Sequence, residues 1–255
     1  MSALAPHRGV GAGQYIVTGG TRGLGMATAR ALAAEGAKVV VSGRTEKSVA
    51  DAEAELGGSG AAAGVVADNA DAATPGRLIG VAHDAFSRLD GVLISVGGPS
   101  AGTSDTIDDG QWRADFESVF LGAVRLSRTV AEELADGGAI GFVLSSSVYE
   151  PIHGLAVSNA LRPGLAGYAK NLANELGPRG IRVVSFLPGL IATDRLRELD
   201  ALTTDDADAA RAGIPLGRYG TPEEFGRAAA FLLSPAASYV TGVTVSIDGG
   251  ARSAF

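Results

Sequence analysis

Short runs of apolar, often β-branched residues alternate with longer stretches of helical periodicity along almost the whole chain. This alternation limits the fold more than any single residue does. A short apolar run between turn-forming glycines suits a strand buried on both faces, and the helical stretch after it suits the crossover that parallel strands require. Strands are expected at Tyr15–Val17, Lys38–Ser42, Ala62–Val66, Gly91–Ser95, Ile140–Leu144, Arg182–Leu187 and Thr244–Ile247. Helices are expected near Gly25–Ala34, Glu46–Leu56, Pro75–Phe86, Gln111–Leu134, Leu161–Leu176 and Pro222–Leu233. The pattern predicts an α/β fold: a doubly wound, mostly parallel, seven-stranded Rossmann-like sheet in a single domain over residues 1–255, right-handed at each crossover. One irregular stretch, Asp194–Tyr219, contains Asp205, Asp206 and Asp208. So long an insert in a compact domain is expected to act as a lid over the substrate site.

The first turn carries the clearest chemical signal. Thr18-Gly-Gly-Thr-Arg-Gly-Leu-Gly25 follows a strand and opens a helix, so Gly19, Gly23 and Gly25 allow a tight turn whose backbone N–H groups can approach a pyrophosphate. The second strand ends in Ser42-Gly43-Arg44, with no Asp or Glu where an NAD-preferring site places an acid against the ribose. Arg44 and Arg22 would instead form a fork for a 2′-phosphate, which points to NADP(H).

Composition narrows the partners. A net charge of −7 argues against nucleic acid or an anionic membrane, and no apolar run is long enough to span a bilayer. The absence of Cys removes disulfides, thiol nucleophiles and Cys-ligated metal sites, and no metal site is expected. Nothing in residues 1–13 reads as a signal sequence, so a cytoplasmic protein acting on a small molecule is expected.

With these segments in view, the chain resembles the short-chain dehydrogenase/reductase family, in its 3-oxoacyl-[acyl-carrier-protein]-reductase-like branch, over residues 14–250. Thr18–Gly25 is similar to the family's Thr-Gly-x-x-x-Gly-x-Gly turn. Asp68 stands where the family holds the adenine amine, and Pro188-Gly-Leu-Ile-Ala-Thr193 where it cradles the carboxamide end of the cofactor. Arg218–Glu224, Val240-Thr-Gly242 and Asp248-Gly-Gly250 are similar to its closing segments. The resemblance implies a cofactor site of Thr18, Gly19, Thr21, Arg22, Gly23, Leu24, Gly25, Arg44, Asp68, Asn69, Ser95, Gly97, Arg162, Pro188, Gly189, Ile191 and Thr193. It also implies a homotetramer or homodimer paired through Gln111–Leu134 and Leu161–Leu176, the second of which is rich in small residues.

Departures from the family pattern cluster at the chemistry. The Asn-Asn-Ala-Gly after the fourth strand reads Ile94-Ser-Val-Gly97, and the family's helical Asn falls at Val119. Its Ser falls at Ser145, with Ser146 and Ser147 blurring the register. Its Tyr-x-x-x-Lys pair falls at Ser158 and Arg162. Reducing a carbonyl by hydride leaves an alkoxide that needs a proton and electrostatic support. A serine hydroxyl is too weak an acid to supply that proton at neutral pH. Arginine, with a pKa above roughly 12, cannot shuttle it, although it can hold ribose hydroxyls and stabilise negative charge. His153, Tyr149, water or the substrate itself are the replacement donors, and the candidate catalytic set is Ser145, Ser158, Arg162, His153 and Tyr149. His153 and Tyr149 also read as an ordinary loop histidine and a packing aromatic, and Tyr168 as structural. The leading expectation is an NADP(H)-dependent oxidoreductase that reduces a ketone or activated double bond with a non-standard proton donor. The alternatives are an NADP(H)-binding regulatory protein without turnover, and a non-redox lyase or isomerase.

Overall fold

The computed structural model describes residues 13–194, 196 and 211–253. Its strands are β1 (Gln14–Val17), β2 (Lys38–Gly43), β3 (Ala62–Val66), β4 (Gly91–Ser95), β5 (Ala139–Val143), β6 (Arg182–Pro188) and β7 (Val243–Ile247). They form one sheet in the order β3-β2-β1-β4-β5-β6-β7, and every neighbouring pair is parallel. The sequence expectation of a mostly parallel sheet is thus met by one without an antiparallel strand among the described residues.

Strand periodicity sorts the core into two layers. Along β1 and β2, Ile16 and Val40 point to one face, while Tyr15, Val17, Val39 and Val41 point to the other. On the first face lie α3 (Thr74–Phe86), α5 (Gly122–Glu133) and α6 (Ala156–Leu176), with Leu78, Leu126 and Leu165 buried against the strands. On the second lie α1 (Gly23–Ala34), α2 (Glu46–Glu55) and α7 (Pro222–Leu233), contributing Leu32, Ala52 and Phe225. Helices α1 and α7 approach so closely that a Cβ on Gly226 would collide with the carbonyl of Ala27.

Two helices depart from the sequence reading. The stretch expected as one helix over Gln111–Leu134 is α4 (Asp109–Asp115), a π-helical segment over Phe116–Leu121, and then α5. Helix α6 begins at Ala156, five residues before the expected Leu161, and runs through Pro163. A proline there leaves the Asn159 carbonyl without its helical donor, which is why the sequence places the boundary too late. The turn before α6 is held by the Asn159 side chain, whose Oδ1 accepts from Ile152 N (2.9 Å) and whose Nδ2 donates to Ile152 O (2.8 Å). On β6, Arg182 is buried and donates to the carbonyls of Leu232, Leu233 and Ser234 at 2.6, 2.9 and 2.8 Å. It satisfies the last turn of α7, where a cation also meets the negative end of the helix dipole.

Of the stretch expected as a lid, residues 195 and 197–210 lie outside the described residues, as do residues 1–12. No described helix is long and apolar enough to cross a membrane.

Candidate active site

The sheet order reverses between β1 and β4, and a crevice at the carboxyl ends of the strands beside such a reversal is where open α/β sheets take ligands. The glycine-rich turn after β1 forms one wall. Gly19 and Gly23 sit at φ +57° and +55°, in the left-handed region that favours glycine. A Cβ on Gly19 would come within 2.5 Å of the Ser95 carbonyl, and one on Gly25 would collide with the Gly19 carbonyl. The side chain of Thr18 is fully buried: its Oγ1 accepts from Ser95 N at 2.9 Å and so ties the end of β1 to the end of β4. Thr18 therefore shapes the turn from beneath.

Helix α1 starts from this turn with Arg22 as its N-cap, no side-chain cap hydrogen bond and no acid in its first turn. Its backbone donors and dipole could hold an anion. Arg22 is exposed, as is Arg44 just past β2, and Thr21 packs its methyl group where a side chain on Gly43 would stand. Asp68 is exposed past β3, its Oδ1 accepting from Ala70 N at 2.9 Å. The half-buried Asn69 follows, with its carbonyl packed against Gly122.

The opposite wall follows β6. Gly189 N donates to Ile247 O (3.0 Å), the Ile191 side chain is buried, and Thr193 N donates to Ile191 O (2.7 Å). A Cβ on Gly23 would lie 3.8 Å from Thr193 Cγ2, so the two walls approach each other across the crevice. The uncapped backbone donors at the start of α1, and the glycines that keep the turn before it free of side chains, fit the phosphates of a nicotinamide dinucleotide.

Between these walls lie the ends of β4 and β5. Ser145 caps the short turn Ser146–Val148, its Oγ accepting from Ser147 N at 3.1 Å. Ser147 is the serine that reaches Ser158: their hydroxyls are 3.1 Å apart, and Ser147 Oγ is 3.4 Å from the Ser158 carbonyl oxygen. Both are buried, at 3% and 4% exposure. One turn later Arg162 is also 4% exposed. Its Nη1 donates to Val143 O (2.9 Å) and its Nη2 to Gly97 O (3.3 Å), while Nε has no partner. Burial pushes its pKa down to about 10, which still leaves a full charge at neutral pH. Val119 is buried in the core, inside the π-helical segment.

The remaining candidates lie apart from this buried group. Tyr149 is half exposed, with the Arg252 guanidinium 4.0 Å over its ring. His153 is exposed on the turn that Asn159 clamps. Tyr168 is structural: its hydroxyl lies 3.1 Å from Ser127 Oγ and its ring meets Phe142 edge-on. The contact between Ser147 and Ser158 went unread because three consecutive serines give no register. The Arg252–Tyr149 stack went unread because it joins residues a hundred positions apart.

The sequence profile of the family described as enoyl-(acyl carrier protein) reductase matches residues 19–252. The chain belongs to the short-chain dehydrogenase/reductase family. It is 37% identical over 246 residues to a 3-oxoacyl-[acyl-carrier-protein] reductase of Synechocystis sp., spanning 92% of this chain and 95% of the relative. Among solved structures of the same fold is a 3-ketoacyl-(acyl-carrier-protein) reductase from Brucella melitensis complexed with NADH. It has a TM-score of 0.86, 28% identity, and coverage of 95% of this chain and 99% of that one. Another is the apo structure of a short-chain oxidoreductase from Pseudomonas aeruginosa PAO1 that contains an atypical catalytic center. Its TM-score is 0.87 and its identity 26%, with coverage of 96% and 99%.

Proposed function

We propose that this short-chain reductase uses NADP(H) to reduce a carbonyl compound, either a ketone or a double bond activated by one, without a side-chain acid at Ser158. The observation that carries the reading is a fixed, buried guanidinium at Arg162, set beside hydroxyls too weakly acidic to protonate an alkoxide, in a cleft with its glycine turn intact. A bound nicotinamide dinucleotide supplies a hydride equivalent. The N–H groups at the start of α1 hold its pyrophosphate, Arg22 and Arg44 its 2′-phosphate, Asp68 its adenine amine, and Ile191 and Thr193 its carboxamide end. Arg162 places positive charge under the cleft, which favours negative charge developing on a substrate oxygen. The proton comes from water, from an acidic group of the substrate, or from the exposed Tyr149 or His153. The loss of a general acid costs about 10²–10⁴ in rate, and positioning alone can contribute more than that. The reductase activity of the Synechocystis relative and the atypical center of the Pseudomonas aeruginosa structure support this reading.

Titration calorimetry with NADPH and NADH, followed by absorbance of the reduced cofactor against a panel of carbonyl compounds, tests it. NADPH is expected to bind at least about tenfold more tightly, and Arg44→Ala to remove most of that margin. Equal or tighter NADH binding overturns the cofactor assignment. Tight NADPH binding with no oxidation by any carbonyl compound favours a cofactor sensor, the reading to which the burial of Ser158 also lends weight.

A further inference from the structure

We infer that Arg162 makes the cleft discriminate between the two redox states of its cofactor, holding the reduced dinucleotide more tightly than the oxidised one. The inference rests on the NADP(H) reading above and concerns a property that reading does not require. Two observations carry it.

The first is the position of the guanidinium. The strand order places β4 and β5 between β1, which ends in the glycine turn, and β6, which leads into Pro188–Thr193. A dinucleotide reaching from one wall to the other must cross the ends of β4 and β5. Arg162 is fastened there by the carbonyls of Gly97 and Val143, with a fixed geometry and one buried N–H still unpaired.

The second is that its charge is uncompensated. Arg162 is buried in the interior, its hydrogen bonds are to the neutral carbonyls of Val143 and Gly97, and it makes no ion pair among the described residues. Ser158, one turn before it on the same face of α6, cannot ionise to neutralise it. A buried cation without a counter-charge acts through its field over several ångströms, because little water screens it. The nicotinamide ring is neutral when reduced and cationic when oxidised, whereas the phosphates are the same in both states. The field of Arg162 therefore opposes only the oxidised ring. One unit charge several ångströms away, at the effective dielectric of protein sites, gives a preference of roughly tenfold or more. Two consequences follow: oxidised cofactor leaves readily, and the bound couple is less reducing than the free one, which suits an electron-poor acceptor.

The experiment is a comparison of dissociation constants by calorimetry, with no turnover involved. The wild type is expected to bind NADPH roughly tenfold or more tightly than NADP⁺. Arg162→Met should bring the two constants together by about that factor, while Arg162→Lys, which keeps a charge, should retain most of the preference. The affinity of 2′,5′-ADP, which has no nicotinamide, should be the same in all three proteins, and that equality also shows that each variant is folded. Equal binding of NADPH and NADP⁺ by the wild type overturns the inference and leaves the NADP(H) reading standing. A preference that survives Arg162→Met with unchanged 2′,5′-ADP binding assigns it to some other group and likewise overturns the inference. Failure of the wild type to bind either dinucleotide overturns the cofactor reading and this inference with it.

Discussion

Ser158 sits one turn before Arg162 on α6. Its hydroxyl is buried, 3.1 Å from that of Ser147. Removing it leaves Ser147 with the Ser158 carbonyl as an alternative acceptor. Ser158→Ala should therefore cost only about 0.5–1.5 kcal/mol in kcat/KM, roughly a tenfold effect. Arg162→Ala should cost more, through both weaker cofactor binding and lost support for negative charge. Steady-state kinetics on the two variants decides the matter, and abolished turnover in Ser158→Ala with unchanged cofactor affinity would show serine to be part of an essential relay. The spacing of Ser158 and Arg162 was readable from the sequence because Pro151 and the end of α6 flank it. Which serine meets Ser158 was not readable, because consecutive residues around a short 3₁₀ turn point in different directions and only the fold selects Ser147.

At the scale of elements, the strands were legible because parallel strands buried on both faces read as unbroken apolar runs. The start of α6 and the π-helical segment were not, since both depend on tertiary contacts that override local propensity. Helix α7 was placed correctly at both ends because its start is written in local chemistry. Thr221 Oγ1 accepts from Glu224 N, and Glu224 Oε2 in turn accepts from Thr221 N at 2.8 Å. Glu224 also accepts from both terminal nitrogens of Arg218, at 2.9 and 2.7 Å. The Arg218 hydrogen bonds, and then the Thr221 N–H, hold its carboxyl down to about 2, below the ordinary value of 4.5. With the folded value depressed, the unfolded chain binds the proton first as acid is added. The stabilisation is therefore complete above about 4.5 and lost as pH falls through about 2. Glu224→Gln keeps an oxygen for the cap but cannot ionise, so its melting temperature should fall less steeply than that of the wild type across this acid range. Parallel curves for the two proteins would remove the ion pair from the acid response.

On the scale of the whole molecule, the helices expected to pair subunits carry an apolar surface. Phe116, 42% exposed, stacks on Phe120 at 5.2 Å, and Phe120 packs against Gly164 of α6. Nearby Gly167 would leave a side chain in open space, so a second helix can come close there. A homodimer or homotetramer is expected by light scattering at micromolar concentration, with Phe116→Asp shifting it towards smaller species; a wild-type monomer would count against this. The packing of α7 onto α1 bears on how the chain reaches this structure at all. The glycine turn and α1 are synthesised long before α7, yet part of the surface that α1 must bury is supplied by residues nearly two hundred positions later. Strand β1 likewise waits for β4 before it has a neighbour on its inner side. Such long-range closure gives a high contact order and slow folding. The glycine turn and α1 should therefore be made well before α7 and be among the last elements to become resistant to proteolysis on the ribosome.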